Sequence, residues 1–255
     1  KSTAGYLSLS NDITDQLTEL IGTIQKPMEP FLPSYRREAF AGLDSAPLPP
    51  PFRVFFAGRI ERNKGVFDLL EIARRFSHEG RSDIEFDLCG EGGALPELRQ
   101  QTEEAGLQSR FRCHGHLDKP RMREMYSQAH IVIAPTTTDF IEGFNKVVAE
   151  GILAGKPVIT SSVCPALEYV VDGVVKVPPN DVQAYGDAII RLHEDRTLYE
   201  SKRRGCMASQ EQFYDAERGW GAALKRMLNS LFNNAPTKTP SRNFMAESLP
   251  SRRMP

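Results

Sequence analysis

Two carboxylates eight positions apart, Glu142 and Glu150, stand in the segment of this sequence with the most chemical content. Glu142 falls in a polar run after Pro135, where an apolar strand has to end and a helix has to begin. Glu150 lies about two helical turns further on. Its neighbours Val147, Val148, Ile152 and Leu153 make an apolar helix that this one charge interrupts. A carboxylate in such a helix needs a partner, because unpaired burial is costly. Ribose hydroxyls are good partners; a structural salt bridge or cap is the competing reading. Glu142 as a solvated loop residue stays open in the same way. A helix is expected over Phe144–Leu153, so that Gly143 to Lys146 would offer the free N–H donors of its first turn.

Two cations form the second group. The loop Gly58-Arg59-Ile60-Glu61-Arg62-Asn63-Lys64-Gly65 sets Arg59 and Lys64 between a strand end and a helix start. Backbone N–H groups at such a junction already favour anions, so two cations beside them suit a diphosphate. Two solvated loop charges are the plainer alternative. A third loop, Gly90-Glu91-Gly92-Gly93, invites a dinucleotide reading, but G-x-G-x-x-G would need glycine where Leu95 stands. This loop is expected to make a tight turn that lets backbone approach a ligand closely. A dehydrogenase would also need a ribose-binding acid after its second strand, and that pattern is missing.

These loops are positioned by alternating elements. Strands are expected at Arg53–Ala57, Ile84–Leu88, Phe111–Gly115, Ile131–Pro135, Pro157–Ser161 and Val174–Val177. Val66, Leu69, Leu70, Ala73 and Phe76 share one helical face. Further helices are expected at Pro96–Ala105, Lys119–Ala129, a short Ala166–Val171, and roughly 181–194, 197–212 and 215–231. Such alternation implies parallel pairing through right-handed crossovers. The expected fold is an α/β open doubly wound, Rossmann-like parallel sheet with its ligand crevice at the strands' carboxyl ends. Residues 1–50 carry an apolar run at Tyr6–Leu9, a helical pattern at Ile13–Ile24, and a proline-rich linker ending in Pro47, Pro49, Pro50 and Pro51. The tail from Asn233 to Pro255 has no apolar period and reads as disordered.

Composition narrows the function. The 255 residues are 40 % hydrophobic and 25 % charged with a formal net charge of −1, which excludes a field that would recruit nucleic acid. Lys202-Arg203-Arg204 reads as a solvated helix face. Cys89, Cys113, Cys164 and Cys206 form no C-x-x-C pair, which argues against a zinc site or disulfide framework and suits a reducing compartment. Buried packing is expected for Cys89 and Cys113. No apolar stretch approaches the ~20 residues needed to cross a bilayer. The expectation is a soluble cytoplasmic protein, with peripheral membrane association left open.

Between residues 52 and 231 the chain resembles the carboxyl-terminal, donor-binding domain of a family 4 glycosyltransferase of GT-B architecture. The resemblance rests on Glu142-x7-Glu150 followed by Ala154-Gly155-Lys156-Pro157-Val158-Ile159. The Gly58-Arg59…Lys64-Gly65 loop, Gly90-Glu91-Gly92, Gly115 and Pro135 fall in matching order and separation. It implies retaining transfer of a hexosyl group from a UDP- or GDP-linked sugar to a saccharide, lipid-linked or other acceptor, with no bound metal or further cofactor. It implies that Arg59 and Lys64, beside Gly58, neutralise the donor diphosphate and stabilise the leaving nucleotide. Glu142 would bond sugar hydroxyls with the Gly143 and Phe144 amides nearby. Asn145, Lys146 and Val147 would offer backbone donors to sugar or phosphate, Glu150 would hold the ribose, and His116-Leu117 would meet the base.

Two residues depart from the family pattern: Asn145 stands where glycine is usual, and Lys146 where an apolar residue is common. Residues 1–50 resemble only the last strand and helix of an acceptor-binding domain, and the helix at 215–231 is expected to be the piece that packs back across the interface in a full enzyme. A fragment of a longer enzyme, a split-enzyme subunit and a non-catalytic nucleotide-sugar-binding module all remain open. A sugar-nucleotide epimerase is a minor further reading.

Overall fold

The computed structural model describes residues 3–22, 26–43, 51–140 and 142–233. A small unit comes first: β1 (Tyr6–Ser8), α1 (Asn11–Ile21) and β2 (Met28–Pro30), with Tyr6 opposite Met28 in parallel pairing. Ser10 starts α1 because its Oγ accepts from the Ile13 amide at 3.2 Å, relieving one of the unbonded N–H groups of a helix start. The strands of the large sheet are β3 (Phe52–Ala57), β4 (Ile84–Cys89), β5 (Phe111–Gly115), β6 (Ile131–Ala134), β7 (Val158–Ser161) and β8 (Val174–Val177). Between them lie α2 (Val66–His78), α3 (Leu95–Glu104), α4 (Lys119–Gln128) and α5 (Lys146–Leu153), and after them α6 (Val182–Glu194), α7 (Arg196–Ser209), α8 (Glu211–Tyr214) and α9 (Trp220–Asn233).

The large sheet is parallel throughout, in the order β5-β4-β3-β6-β7-β8. This is the expected α/β doubly wound sheet. Parallel strands must be covered on both faces, and β6 and β7 are buried along their whole length. Strands β4 and β5, towards one edge, alternate instead, with Glu85, Asp87, Arg112 and His114 between their apolar residues. Val54, Phe56, Ile84, Phe86 and Ile133 pack under α2, α3 and α6. Phe55, Cys89, Val132 and Val158 pack on the other face beneath α4 and α5. The chain leaves β3 for β4 and β5 on one side, then returns to β6 on the other. The direction of winding therefore reverses between β3 and β6. A crevice has to open there, beyond the carboxyl ends of those two strands.

Several boundaries differ from the sequence expectation. The final helical stretch, expected at 215–231, is a 3-10 turn at Ala216–Arg218 followed by α9. The break falls at Gly219, whose backbone is extended (φ −80°, ψ 169°). The expected 197–212 helix likewise divides into α7 and α8, and Ala166–Val171 is only a 3-10 turn at Pro165–Glu168. Strand β2 carried too little alternation to be recognised. Helix α9 packs on β1 and β2, and Arg226 pairs with Glu29 at 2.9 Å. Arg203 lies near Glu200, so that member of the basic cluster is not a plainly solvated charge. All four cysteines are free thiols; Cys89 is buried as expected, whereas Cys113 is only partly so. Most of the proline-rich linker and the tail beyond Asn233 lie outside the described residues.

Candidate active site

A cleft of about 320 Å³ occupies the crevice between β3 and β6. Gly58, Arg59 and Lys64 line it from the loop after β3, and Thr136, Glu142 and Asn145 from the loop after β6. Lys146, Val147 and Glu150 add a wall from α5. Lys64 and Glu142, 78 positions apart in the sequence, thus meet because β3 and β6 are neighbours at the reversal point.

Lys64 and Glu142 form an ion pair, with side chains 13 % and 17 % exposed. The Thr136 hydroxyl donates to the same Glu142 oxygen at 3.1 Å, and the Asn145 side-chain amide points to that hydroxyl at 3.4 Å. The Lys64 ammonium also lies 3.7 Å from the centre of the Phe140 ring, and the Arg59 guanidinium carbon 5.5 Å from it. A cation over an aromatic face is held without being neutralised. Arg59 is exposed on the cleft lip and has no carboxylate partner among the described residues. The two cations and Glu142 therefore converge on one space, where they can take an anion and a hydroxyl-bearing group side by side.

Glu150 is held differently. The Tyr126 hydroxyl donates to one of its oxygens at 2.8 Å and the Tyr35 hydroxyl to the other at 3.2 Å. Among the described residues, Glu150 makes neither the salt bridge nor the helix cap weighed from the sequence. Burial pushes the Glu150 carboxyl above its ordinary value, while the two phenol bonds and Lys146, one turn away, pull it down. Burial beside this carboxylate also raises both phenols, so each remains a protonated donor. The Tyr126 ring is fixed edge-on against Phe55 of β3, with centroids 4.9 Å apart.

The backbone explains one departure from the family pattern. Asn145 has φ 67° and ψ 73°, the left-handed region, at the position just before α5. Glycine reaches that region freely, and asparagine is among the few other residues that tolerate it. Asn145 thus meets the same conformational demand and adds a side-chain amide to the cleft. Helix α5 begins at Lys146, two residues later than expected. Its first-turn donors accordingly start at Lys146 and Val147, not at Gly143. Lys146 is exposed at the cleft wall.

The Gly90–Gly93 loop makes its close approach within the protein. A Cβ on Gly90 would stand 1.7 Å from the Gly58 carbonyl oxygen, and one on Gly92 would stand 2.2 Å from that of Ile60. The close approach is to the neighbouring loop's backbone. Ile60 N donates to Glu91 O at 2.9 Å and Ala94 N to Ile60 O at 3.1 Å, so the glycines clamp the turn that carries Arg59.

Four residues in the expected set are not among the cleft walls. Gly143 accepts from the Ser10 hydroxyl at 2.8 Å through its carbonyl. The Phe144 side chain is buried against Tyr169 and Phe213. His116 is exposed just after β5, and Leu117 packs on the core cluster beneath α4. Conversely, Thr136 lines the cleft, and Tyr35, Tyr126 and Phe140 contact its lining residues Glu150 and Lys64, although the sequence singled out none of the four. Tyr126 sits in an unremarkable polar helix, and nothing in the sequence ties residue 35 to residue 150.

The family model for glycosyl transferases group 1 matches residues 45–207. The chain belongs to this family. Among curated relatives, alpha-D-kanosaminyltransferase of Streptomyces kanamyceticus is 29 % identical over 161 residues, covering 62 % of this chain and 39 % of the relative. Glycogen synthase of Mycobacterium tuberculosis is 24 % identical over 202 residues, covering 78 % of this chain and 47 % of the relative. The chain therefore spans about half or less of the length of these relatives. The Anabaena protein HepE, solved in complex with UDP and glucose, superposes with a TM-score of 0.74 at 17 % identity, over 90 % of this chain and 63 % of that one. That likeness establishes the GT-B-like fold of this group 1 domain. Among the described residues, no helix is long and apolar enough to cross a membrane.

Proposed function

We propose that the cleft binds a nucleoside-diphosphate sugar, UDP- or GDP-linked, as the donor of a retaining hexosyl transfer. The observation that carries this reading is the convergence of Arg59, Lys64 and Glu142 on one side of the cleft with Glu150 on the other. Arg59 and Lys64 take the diphosphate and stabilise the negative charge that grows on the leaving nucleotide. Two cations placed before the reaction supply this without reorganisation, the usual source of large electrostatic effects. Metal is not required in this scheme, because the cations provide the charge. To receive the diphosphate, Lys64 gives up part of its hold on Glu142, which turns towards the sugar hydroxyls. Glu150 accepts from the ribose.

The proposal extends to the domain order. Residues 51–232 would be the donor domain, and residues 1–50 the end of an acceptor-binding domain plus a linker. A two-stranded sheet such as β1–β2 is marginal on its own. Leu20 on α1 and Trp220 and Phe232 on α9 are 80 %, 54 % and 74 % exposed. Both features fit a larger sheet and a covering domain, which would receive the saccharide, lipid-linked or other acceptor. Membrane contact, if the acceptor is lipid-linked, would be peripheral and at the cytoplasmic face.

Calorimetric titration with UDP, GDP, ADP and their sugar conjugates tests the reading. One nucleotide should bind, and Arg59→Ala and Lys64→Ala should each weaken it by about tenfold or more, as loss of a charge-assisted contact does. Unchanged affinity in the folded double variant would remove the diphosphate assignment. Tight donor binding with neither transfer nor donor hydrolysis, once joined to an acceptor domain, would mark a non-catalytic nucleotide-sugar-binding module or the lone subunit of a split enzyme.

A further inference from the structure

Residues 31–43 run as a strap outside the large sheet, yet they reach its cleft. The Leu32 amide donates to Arg218 O at 2.8 Å and the Tyr35 amide to Phe213 O at 2.9 Å, tying the strap to the region before α9. From α4, Arg123 donates to the carbonyls of Glu38 at 3.2 Å and Ala39 at 2.7 Å. Phe40 stacks edge-on against Tyr35 at 5.5 Å and against Tyr126 at 6.1 Å. This packing aims the Tyr35 hydroxyl at Glu150 from one side, while α4 aims that of Tyr126 from the other.

An ionised carboxylate has about four lone-pair sites. Tyr126 occupies one on one oxygen and Tyr35 one on the other. Each oxygen keeps one further site, and Glu150 lines the cleft. Two acceptor sites on a fixed carboxylate match the two hydroxyls of a vicinal diol. A carboxylate without those anchors would rotate about its last bond and present one oxygen at a time.

Resting on the donor-site reading above, we propose that Tyr35 and Tyr126 are positioning residues that lock Glu150 as a two-point acceptor for the ribose diol, making the strap part of the nucleotide site. Neither tyrosine touches the nucleotide in this scheme. Each acts through Glu150, and what they govern is discrimination between ribose and 2′-deoxyribose, not diphosphate affinity.

The test uses the full chain, with UDP, GDP and ADP each compared with its 2′-deoxy counterpart by calorimetry. For whichever nucleotide binds, the wild type should prefer the ribose form by about tenfold, the loss expected when a charge-assisted bond is left unmade. Tyr35→Phe/Tyr126→Phe should bring that ratio to about twofold or less, with the deoxy form bound nearly as well as before. Adding the same pair to Glu150→Gln should change the ratio no further, as a shared pathway requires. Tyr35→Phe alone, on the less buried strap, serves if the double variant unfolds, and should reduce the ratio part of the way. If ribose and deoxyribose forms weaken equally in folded variants, the tyrosines are merely structural and the proposal fails while the donor site stands. If no nucleotide binds the folded wild type, the donor-site reading fails and takes this proposal with it.

Discussion

Replacing Gly65 by alanine separates backbone strain from backbone contact, and Gly106 provides the reference. Gly65 has φ 71° and Gly106 φ 66°, so a side chain meets nearly the same left-handed strain at both. That strain alone costs about 1–2 kcal/mol. A Cβ on Gly106 would meet nothing within 4 Å. One on Gly65 would stand 2.2 Å from the Pro135 carbonyl oxygen, well inside the 3.0 Å that real Cβ contacts respect. The difference is about 0.8 Å, and the obstructing atom is backbone, so the loop after β6 has to move. Overpacking of this kind costs a further ~1–3 kcal/mol. Gly65→Ala should therefore destabilise by about 2–5 kcal/mol against about 1–2 for Gly106→Ala. Urea unfolding followed by circular dichroism measures both. The same shift separates Lys64 from Glu142, so nucleotide affinity should fall in Gly65→Ala and hold in Gly106→Ala. Equal destabilisation of the two variants, within about 0.5 kcal/mol, would refute the claim that the two loops are in backbone contact.

Glu150→Gln should weaken the free nucleotide, whereas Glu142→Gln should matter mainly for the sugar conjugate. Calorimetry with UDP and UDP-glucose, or the GDP pair, reads the difference, and identical effects on free nucleotide would contradict the two roles. Because burial raises the Glu150 carboxyl, its ionised acceptor form is lost on acidification at a higher pH than an ordinary carboxylate loses it. Affinity for the nucleotide sugar should fall as pH drops through that raised value, and Glu150→Gln should flatten the dependence. Asp87 provides a contrast in sign. Burial opposes its ionisation, but Arg112 and His114 outweigh it and hold the carboxyl below its usual range. Its stabilising effect is thus full above the unfolded value near ~3.9 and lost as pH falls through the lower folded value. Asp87→Asn should cost about 2–3 kcal/mol at pH 7, less than the 3–5 of a fully buried pair, because Arg53 and Arg112 are each 28 % exposed. In denaturant titrations that deficit should shrink below pH 4.

Much of the fold was legible because its rules are local. Strands buried on both faces read as continuous apolar runs, and α2 showed its face through Val66, Leu69, Leu70, Ala73 and Phe76. Parallel pairing and the crevice then followed from alternation. The boundaries that moved did so where local signals compete. Ala166, Leu167 and Glu168 are good helix formers, but Tyr169, Val170 and Val171 after them are poorer ones, and the segment closes only a 3-10 turn at Pro165–Glu168. Strand β2 is three residues long and ends in proline, too short to show a period.

The site divides along the same line. Arg59, Lys64, Glu142 and Glu150 could be found because each lies at a strand end or interrupts an apolar face, and such places are visible one segment at a time. Their partners could not, because partnership is a tertiary fact. Glu150 announces only that it needs donors; which groups answer depends on where the strap crosses α4. The same holds for Asn145. From the sequence it is a departure from glycine, yet φ 67° makes it one of the few substitutions the backbone accepts there. A departure that satisfies the conformational demand while adding a donor to the cleft counts as specialisation of the site. Asn145→Gly should accordingly preserve the loop and remove only what the side-chain amide contributes.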